Sequence, residues 1–333
     1  MRIGLYTAYW PWFSFEEQVA LAKQADEGGL DSVWVAEAWG QDAATVLGRL
    51  SGETERIGLG SGLFQIPART PAMTAMTAAT LDVMSGGRFR LGLGVSGPQV
   101  SEGWHGVSFK RPLARTREYV EIVRAALARE APLEFHGEEF ELPVADGSGL
   151  GKPLKLLVKP TGPVPIYLGA IGPKAVEQTG KIADGWLPFM LSEEQLGAVK
   201  AGGRDIDVAP VVMTCVHEDI AEARNLARPW LTIYFGGMGA KAKNFYVEMA
   251  DKFGNGDSAR ECQDKFLAGD RMGAAMALSD ELIDSAAITT TPGGLEERLA
   301  DYERLGADTL LCMPFGDRPA IVEALVSANR AYA

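Results

Sequence analysis

A short pattern recurs along this chain: a helical stretch, then glycine or alanine with aspartate, then an apolar run. It reads ADEGGLDSVWV over residues 25–35, KIADGWLPF over 181–189 and YERLGADTLLCMPF over 302–315. Continuous apolar runs are typical of parallel strands that are buried on both faces. Strands that alternate with helices in this way favour βα units arranged around a parallel sheet.

Eight apolar runs can be placed between helices along the chain. Helix-start signals support this order, because Ser14 opens a capping box with Glu17 and Thr70 precedes Pro71 at a first helical position. Eight βα units over 333 residues predict an α/β fold, a (β/α)8 TIM barrel that forms a single domain over residues 1–333. The predicted strands are residues 2–8, 32–36, 56–62, 89–93, 165–168, 184–187, 208–216 and 309–313.

Three stretches interrupt the alternation. Residues 101–112 follow the fourth strand and residues 230–280 follow the seventh, so both are predicted insertions. Residues 133–159, before the fifth strand, contain two β-like runs, LEFHGEEFEL and LKLLVK, around a glycine-rich turn. Long excursions after barrel strands are usually functional loops, lids or interface elements. We therefore expect the first two insertions to determine the substrate.

Composition excludes several classes of function. The net charge is −12 with no basic stripe, which argues against a nucleic-acid partner. No run of about 18 apolar residues is present and no signal peptide is evident, so we expect no membrane partner. Cys215, Cys262 and Cys312 stand far apart, and neither cysteines nor histidines show metal-ligand spacing. These observations predict a cytoplasmic protein with reduced thiols, no metal and a small-molecule substrate.

The segment GGRFRLGLGVSGP, residues 86–98, contains G-x-G-x-x-G from Gly92 through Gly94 to Gly97. In dinucleotide-binding folds that spacing opens a helix directly after the first strand. Here Pro98 and an irregular stretch follow, and complete βα units precede it. We assign it to the end of the fourth barrel strand, where bare backbone could make room for a flat redox ring. Tight packing at the barrel rim is the alternative.

The predicted carboxyl ends of the strands, where TIM barrels place their chemistry, are rich in aromatic residues and glycine. They contain no Ser-His-Asp arrangement, no paired carboxylates and no lysine within an apolar strand. Such a site suits a planar cofactor that supplies the reactive atoms while the protein supplies shape and orientation. The segments are residues 6–12, 37–39, 61–63, 95–98, 169–174, 188–190 and 314–315.

The segment GAIGPK, residues 169–174, is a candidate phosphate loop because it leaves a strand and enters a helix at Pro173. Free backbone N–H groups and the helix dipole favour an anion there, and Lys174 adds a positive charge. An ordinary loop between strand and helix is the alternative.

Two side chains at the end of the second strand are also candidates for the functional site. Glu37 could accept a proton or hydrogen-bond a polar ring edge, and a structural ion pair is the alternative. Trp39 could form a wall of the pocket, and core packing is the alternative.

Together these segments resemble the luciferase-like monooxygenase superfamily, and more narrowly its branch of F420-dependent oxidoreductases. The resemblance covers most of the first 190 residues and is only an outline from residue 192 onward. It implies a bacterial luciferase-like (β/α)8 barrel, usually a homodimer, which transfers a hydride between coenzyme F420 and a small organic substrate. The matching segments are residues 33–43, 60–82, 85–106, 112–127 and 164–189.

The resemblance also implies site residues. A bulge in the third strand, with a non-prolyl cis peptide at Gly62–Leu63, should back the central ring of the cofactor. The phosphate loop should be residues 169–174, and the end of strand four should lie beside the ring and its pyrimidine side. The cofactor-binding candidates are Trp39, Ser61, Gly62, Leu63, Val95, Ser96, Gly97, Gly169, Ala170, Ile171, Gly172, Pro173 and Lys174, and the catalytic candidates are Glu37 and Tyr6.

One departure bears on the reaction. Relatives that oxidise sugar phosphates or alcohols place a histidine base after the acid of strand two, and this chain has Ala38 there. The resemblance therefore favours a reductase that acts on an unsaturated or imine-like substrate, with a proton from Glu37, Tyr6 or water. An FMN-dependent monooxygenase and a cofactor-binding barrel without turnover remain alternatives. The acidic tail of F420 could meet Lys110, Arg111, Lys152, Lys155, Lys159 or Lys174, which could equally be solvated loop charges.

Overall fold

The computed structural model describes residues 1–9, 11–239, 241 and 243–332, with side chains described through residue 330. Trp10, which belongs to the predicted strand-end segment 6–12, lies outside the described residues. The strands are β1 (Arg2–Thr7), β2 (Ser32–Ala36), β3 (Gly58–Gly62), β4 (Phe64–Gln65), β5 (Phe89–Gly94), β6 (Phe135–His136), β7 (Glu141–Leu142), β8 (Ile166–Gly169), β9 (Gly185–Trp186), β10 (Asp207–Val208), β11 (Val211–Val216), β12 (Ala287–Thr290) and β13 (Thr309–Phe315).

Helices follow most of these strands and cover the outside of the sheet. Ser14 caps the first helix in the predicted capping box, and Thr70 accepts a hydrogen bond from the Met73 amide at the start of the third. No described helix has both the length and the apolar character that crossing a membrane requires. The helices are α1 (Phe15–Gly28), α2 (Ala43–Glu53), α3 (Pro71–Met84), α4 (Pro98–Gly103), α5 (Pro112–Ala128), α6 (Pro173–Ile182), α7 (Glu193–Lys200), α8 (Ile220–Thr232), α9 (Phe245–Lys252), α10 (Gly256–Leu267), α11 (Arg271–Met276), α12 (Asp280–Ala286), α13 (Leu295–Leu305) and α14 (Arg318–Tyr332).

The parallel strands run in the order β10-β9-β8-β5-β3-β2-β1-β13-β11-β12. The barrel closes through residues 207–216, because β10 pairs with β9 while β11 pairs with β13. Between them the Ala209 amide donates to the Trp186 carbonyl at 2.8 Å, and the Leu311 amide donates to the Pro210 carbonyl at 2.9 Å. The predicted (β/α)8 barrel is confirmed.

Two details of the strand prediction are wrong. The run predicted as one strand over residues 208–216 is divided into β10 and β11, because Pro210 has no N–H to continue the ladder. The strand β12 was not predicted, and it adds to the free edge of β11 with Cys215 opposite Thr289.

Large side chains fill the barrel interior. Trp34 of β2 and Tyr167 of β8 meet edge to face with ring centroids 4.9 Å apart. Glycines on the neighbouring strands make this possible, since a Cβ on Gly60 would lie 2.2 Å from Trp34 and one on Gly185 would lie 2.0 Å from Tyr167. Tyr6, with Leu63 and Val211, packs against this interior layer.

The excursions have different structures. The first contains the short α4, and the second is largely helical, with a π-helical turn at Ile233–Gly237 followed by α9 to α12. Before β8, the strands β6 and β7 form an antiparallel hairpin. The expectation of β structure in LKLLVK, residues 154–159, is wrong: this run forms no strand, and Leu157 is 92% exposed.

Candidate functional site

The end of the third strand carries a bulge. The pairs Leu59–Phe89 and Gly60–Arg90 are followed by Phe64–Leu93, so three residues of this strand, 61–63, lie opposite two of β5. That count defines a β-bulge. The peptide bond between Gly62 and Leu63 is cis. The bulge and the cis peptide predicted here are both confirmed.

Small residues on β5 make room for the bulge. The Ser61 hydroxyl accepts from the Gly92 amide and donates to the Gly92 carbonyl, both at 2.9 Å. A Cβ on Gly92 would lie 2.0 Å from the Ser61 carbonyl oxygen, and one on Gly94 would lie 2.7 Å from the Leu63 side chain. The expectation that these two glycines face a ring is therefore wrong, because they permit close packing of the adjacent strand, which was the alternative.

Tyr6 holds the bulge from the opposite side. Its hydroxyl donates a hydrogen bond to the Gly62 carbonyl, and a Cβ on Gly62 would lie 2.6 Å from its ring. Burial raises the pKa of the Tyr6 phenol far above its ordinary value, and the nearby hydroxyls of Tyr9 and Tyr246 raise it further. The phenol therefore stays protonated and engaged with the bulge.

Glu37 is buried, and its carboxylate is fully engaged. Arg69 pairs with it through two hydrogen bonds of 2.5 and 2.8 Å. The amides of Gln65 and Ala43 donate to the same carboxylate, each at 3.1 Å. The structure thus places Glu37 in the structural pair that was the alternative to a proton-transfer role.

Arg69 was not identified from the sequence. It also bonds Asp42 at 2.5 Å and lies over the Phe64 ring, 4.4 Å from the centroid. Its position in the sequence was a possible signal: Arg69 directly precedes the helix-start pair Thr70-Pro71, which places it at the same end of the barrel as Glu37. Nothing local in the sequence connects it to Glu37.

The predicted phosphate loop joins β8 to α6 and leaves the start of that helix open. Gly172 occupies the N-cap position with no side-chain cap, whereas Ser14, Thr70 and Ser192 cap α1, α3 and α7. A Cβ on Gly172 would meet nothing within 4 Å. The exposed Lys174 lies two residues after Gly172, at the second position of α6. The loop therefore presents uncapped amides and a cation, as an anion site requires.

The residues of this loop before Gly172 are partly or fully buried, whereas Pro173 after it is not. Trp186 donates from its indole N–H to the Ala170 carbonyl at 3.0 Å, which anchors the loop to β9. A Cβ on Gly169 would lie 2.3 Å from Leu63, so Gly169 packs against the bulge. Ile171 is partly buried and Pro173 is exposed.

The remaining cofactor candidates lie at the rim. Val95 lines a small cavity with the neighbouring Lys110, and Ser96 adopts φ 60°, the left-handed region. Gly97 precedes α4 and provides no side-chain cap. Trp39 is 49% exposed, so it is a rim residue and does not pack in the core.

Several proposed cation partners lie elsewhere. Arg111 pairs with Glu138 and Glu139 of the hairpin loop. Lys155 donates to the Glu130 carbonyl beyond the carboxyl end of α5, which is the opposite rim of the barrel. Lys159, two residues before Thr161, is close to the carboxyl end of α3, where the Thr161 amide bonds Asp82. The expectation that Lys155 and Lys159 could reach the cofactor is wrong.

An aromatic cluster above the barrel was also missed. Tyr234 stacks on Phe189 with ring centroids 5.3 Å apart and on Trp230 at 5.2 Å, and it meets Tyr246 edge to face at 5.0 Å. Trp230 also contacts Tyr9, at 5.8 Å. The aromatic residues in LTIYFGG and NFYVEM, both in the second insertion, were the sequence signal from which this cluster could have been predicted. The structure brings that insertion over the strand ends.

The family model described as luciferase-like monooxygenase matches residues 2–309. The chain belongs to this family. Membership of this family confirms the predicted superfamily. Together with the similarity to known oxidoreductases, it confirms that the chain is an oxidoreductase.

Two curated proteins are similar to this chain along nearly its whole length, and the first is described as F420-dependent. The chain is 39% identical over 327 residues to the "Putative coenzyme F420-dependent oxidoreductase" of Mycobacterium tuberculosis, covering 93% of this chain and 94% of the relative. It is 30% identical over 319 residues to the 5,10-methylenetetrahydromethanopterin reductase of Archaeoglobus fulgidus, covering 92% and 91%.

The fold of this family member also matches solved structures. The coenzyme F420-dependent tetrahydromethanopterin reductase from Methanopyrus kandleri superimposes with a TM-score of 0.80 at 20% identity, covering 100% of this chain and 99% of that one. The luciferase-like barrel seen in the strand order is thus shared along the whole chain.

Proposed function

We propose that this protein transfers a hydride between coenzyme F420 and a small organic substrate, in the reductase direction. The observation that carries the proposal is the position of two features at one barrel rim: the bulge at residues 61–63 and the uncapped start of α6. The F420-dependent relatives support this cofactor over FMN.

The residues present fit a planar phosphorylated cofactor. The amides at the start of α6, with Lys174, would hold its phosphate, and the backbone of Gly62–Leu63 would support its ring. When bound, the deazaflavin supplies or accepts the hydride. The chain's own contribution is to hold the ring support in place: Tyr6 fixes the Gly62 carbonyl, and Glu37 fixes the Gln65 amide two residues after the bulge.

The reductase direction follows from the lack of a free base. Ala38 stands where related dehydrogenases would place histidine, and Glu37 is already bound by Arg69. An alcohol substrate would need a group at this point to take its proton. Reduction of a C=C or C=N bond instead needs a proton donor, which water at the open rim can supply.

Titration of the purified protein with oxidised coenzyme F420 and with FMN tests the proposal. We expect a saturable change in the deazaflavin absorbance and much weaker binding of FMN. Reduced F420 should then be reoxidised in the presence of an acceptor substrate. Tight FMN binding with oxygen consumption would instead establish the monooxygenase alternative, and deazaflavin binding without turnover over a broad panel would establish a non-catalytic barrel.

We also propose that the chain acts as one cytoplasmic domain that forms a homodimer. Helix α3 supports the dimer because four apolar side chains on it are each about half exposed, which is a large apolar patch for a monomer. One hydrophobic cluster extends from Ile3 to Ala328, in support of a single domain. The exposed residues of α3 are Met73, Met76, Val83 and Met84.

A further inference from the structure

Three tyrosine side chains from separate parts of the chain belong to one aromatic cluster near Tyr6, the residue that binds the bulge. Tyr9 comes from the loop after β1, Tyr234 from the π-helical turn and Tyr246 from the first turn of α9. Ring contacts connect them, directly between Tyr234 and Tyr246 at 5.0 Å and through Trp230 to Tyr9 at 5.8 Å. The barrel mouth therefore carries an aromatic wall made mostly by the second insertion.

The hydroxyls of these tyrosines have no protein partner in the part of the chain that the structure describes. The two fully buried tyrosines are paired: the Tyr119 hydroxyl lies 2.5 Å from that of Thr74, and the Tyr167 hydroxyl donates to Asp207 at 2.7 Å. The three wall tyrosines are partly exposed, as is Tyr302 on α13, whose hydroxyl also has no partner among the described residues. Polar groups that leave water normally find a partner. The three free hydroxyls are thus available to a polar group of a bound molecule.

Among the described residues, no hydrogen bond or ion pair joins a charged side chain to Tyr9, Tyr234 or Tyr246. Burial raises the pKa of Tyr234 and Tyr246, and the further contributions come only from other tyrosine hydroxyls, those of Tyr6, Tyr9 and Tyr246. The phenols are therefore neutral donors in apolar surroundings. A phosphate or carboxylate placed there would lose its hydration without gaining a cation.

We propose that the substrate is an uncharged, largely apolar α,β-unsaturated ketone, whose apolar part packs on Phe189, Trp230 and Tyr234 and whose carbonyl oxygen accepts hydrogen bonds from the tyrosine hydroxyls. This inference rests on the proposed function, because the reduced deazaflavin is the reductant.

The proposed reduction adds one hydride and one proton across the C=C bond. A hydride from the reduced deazaflavin forms the new C–H bond at the β carbon, and the C=C π electrons move toward the carbonyl. A proton from water adds at the α carbon, and the proton that the cofactor loses on oxidation restores the water. The products are the saturated ketone and the oxidised cofactor. Hydrogen bonds from the phenols stabilise the negative charge that develops on the carbonyl oxygen.

Matched ligands test the substrate class. The probes are 4-phenyl-3-buten-2-one, its analogue with a carboxylate on the ring, and the hydrocarbon 1-phenyl-1-butene, which lacks the carbonyl. Binding is measured by quenching of intrinsic fluorescence in the protein with and without F420, and turnover by reoxidation of reduced F420. We expect the neutral ketone to bind at least tenfold more tightly than the carboxylate and to be reduced. Equal or tighter binding of the carboxylate overturns the inference.

Variants test the hydroxyls. Tyr234→Phe and Tyr246→Phe keep the rings and remove the hydroxyls, and each should weaken ketone binding about three- to tenfold while hydrocarbon binding is unchanged. Tyr302→Phe, on α13, is the matched control and should change neither. Equal losses for ketone and hydrocarbon would overturn the hydrogen-bonding role.

The two proposals fail in different ways. If F420 binds and none of the probes binds, the substrate class is wrong and the cofactor proposal stands. If F420 does not bind, the proposed function fails whatever the probes do, and the assigned reduction fails with it.

Discussion

The guanidinium of Arg69 forms two hydrogen bonds with the carboxylate of Glu37, with N···O distances of 2.5 and 2.8 Å. The same carboxylate accepts the Gln65 amide, which comes two residues after the bulge. An acid directly after β2 therefore fixes β4, the short strand that follows the bulge. This makes Glu37 a positioning residue whose removal should loosen the ring support.

Replacing Glu37 with alanine should leave the mostly buried Arg69 with only Asp42, which is half exposed, as its carboxylate partner. Loss of one member of a buried ion pair costs about 3–5 kcal/mol, and because Asp42 remains we expect a decrease of about 3 kcal/mol or less in the free energy of unfolding, measured with urea. The glutamine of Glu37→Gln keeps one hydrogen-bond acceptor and adds a donor, so this variant should lose less free energy of unfolding. The exposed acid Glu53, also paired with arginine, provides the control, and Glu53→Gln should change little. A Glu37→Gln protein of unchanged stability but altered pH–rate profile would restore the proton-transfer role.

An acidic side chain at Gly172 should compete with the cofactor phosphate. The position has a φ of −70° and open space, so Gly172→Asp can cap α6 without strain. We expect a slightly raised melting temperature and deazaflavin affinity reduced at least about tenfold. Gly172→Ala is the control, because it adds no charge and no cap. Gly169→Asp is a poorer test, since a Cβ there would lie 2.3 Å from Leu63. Unchanged affinity in Gly172→Asp would place the phosphate elsewhere.

The tyrosines at the barrel mouth should make the fold sensitive to alkali. Burial raises the pKa of Tyr6, Tyr234 and Tyr246 in the folded protein, so the native state favours the protonated phenols. This contribution to stability is fully present below the unfolded pKa of about 10 and is lost as pH rises above it. We expect the free energy of unfolding to fall between about pH 10 and 12. The Tyr234→Phe/Tyr246→Phe variant should show a smaller slope. A tyrosinate absorbance that appears for these residues below pH 10 would contradict the assignment.

Charge on the outer face of α3 should disrupt the proposed homodimer. Met73 and Met76 are each 50% exposed on this helix. We expect wild type to have twice the chain mass by light scattering and the Met73→Lys/Met76→Lys variant to have the mass of one chain. Leu267→Lys on α10, at a residue of similar exposure, is the control and should stay dimeric. A monomeric wild type, or a dimer that survives both lysines, would remove α3 from the interface.

Most of the barrel follows from local sequence. The strand over residues 32–36 and the capped starts of α1 and α3 match their predicted positions, because apolar runs and caps act within a few residues. The failures are also physical. Pro210 divides a strand that hydrophobicity alone would continue, and LKLLVK is apolar but finds no strand partner.

The order of apolar runs, glycines and helix caps was enough to predict the barrel and the uncapped loop before α6, because these signals act between neighbours in sequence. The bulge at Gly62–Leu63 was predicted from the resemblance to the luciferase-like superfamily. Only the tertiary structure determined which partners the side chains of the site contact. Arg69 reaches Glu37 across 32 residues, and Tyr6 reaches Gly62 across 56. The tyrosines of the second insertion meet Tyr9 only because closure of the barrel brings all strand ends to one rim. Contacts at such separations depend on the packing of the whole sheet, which no local pattern records.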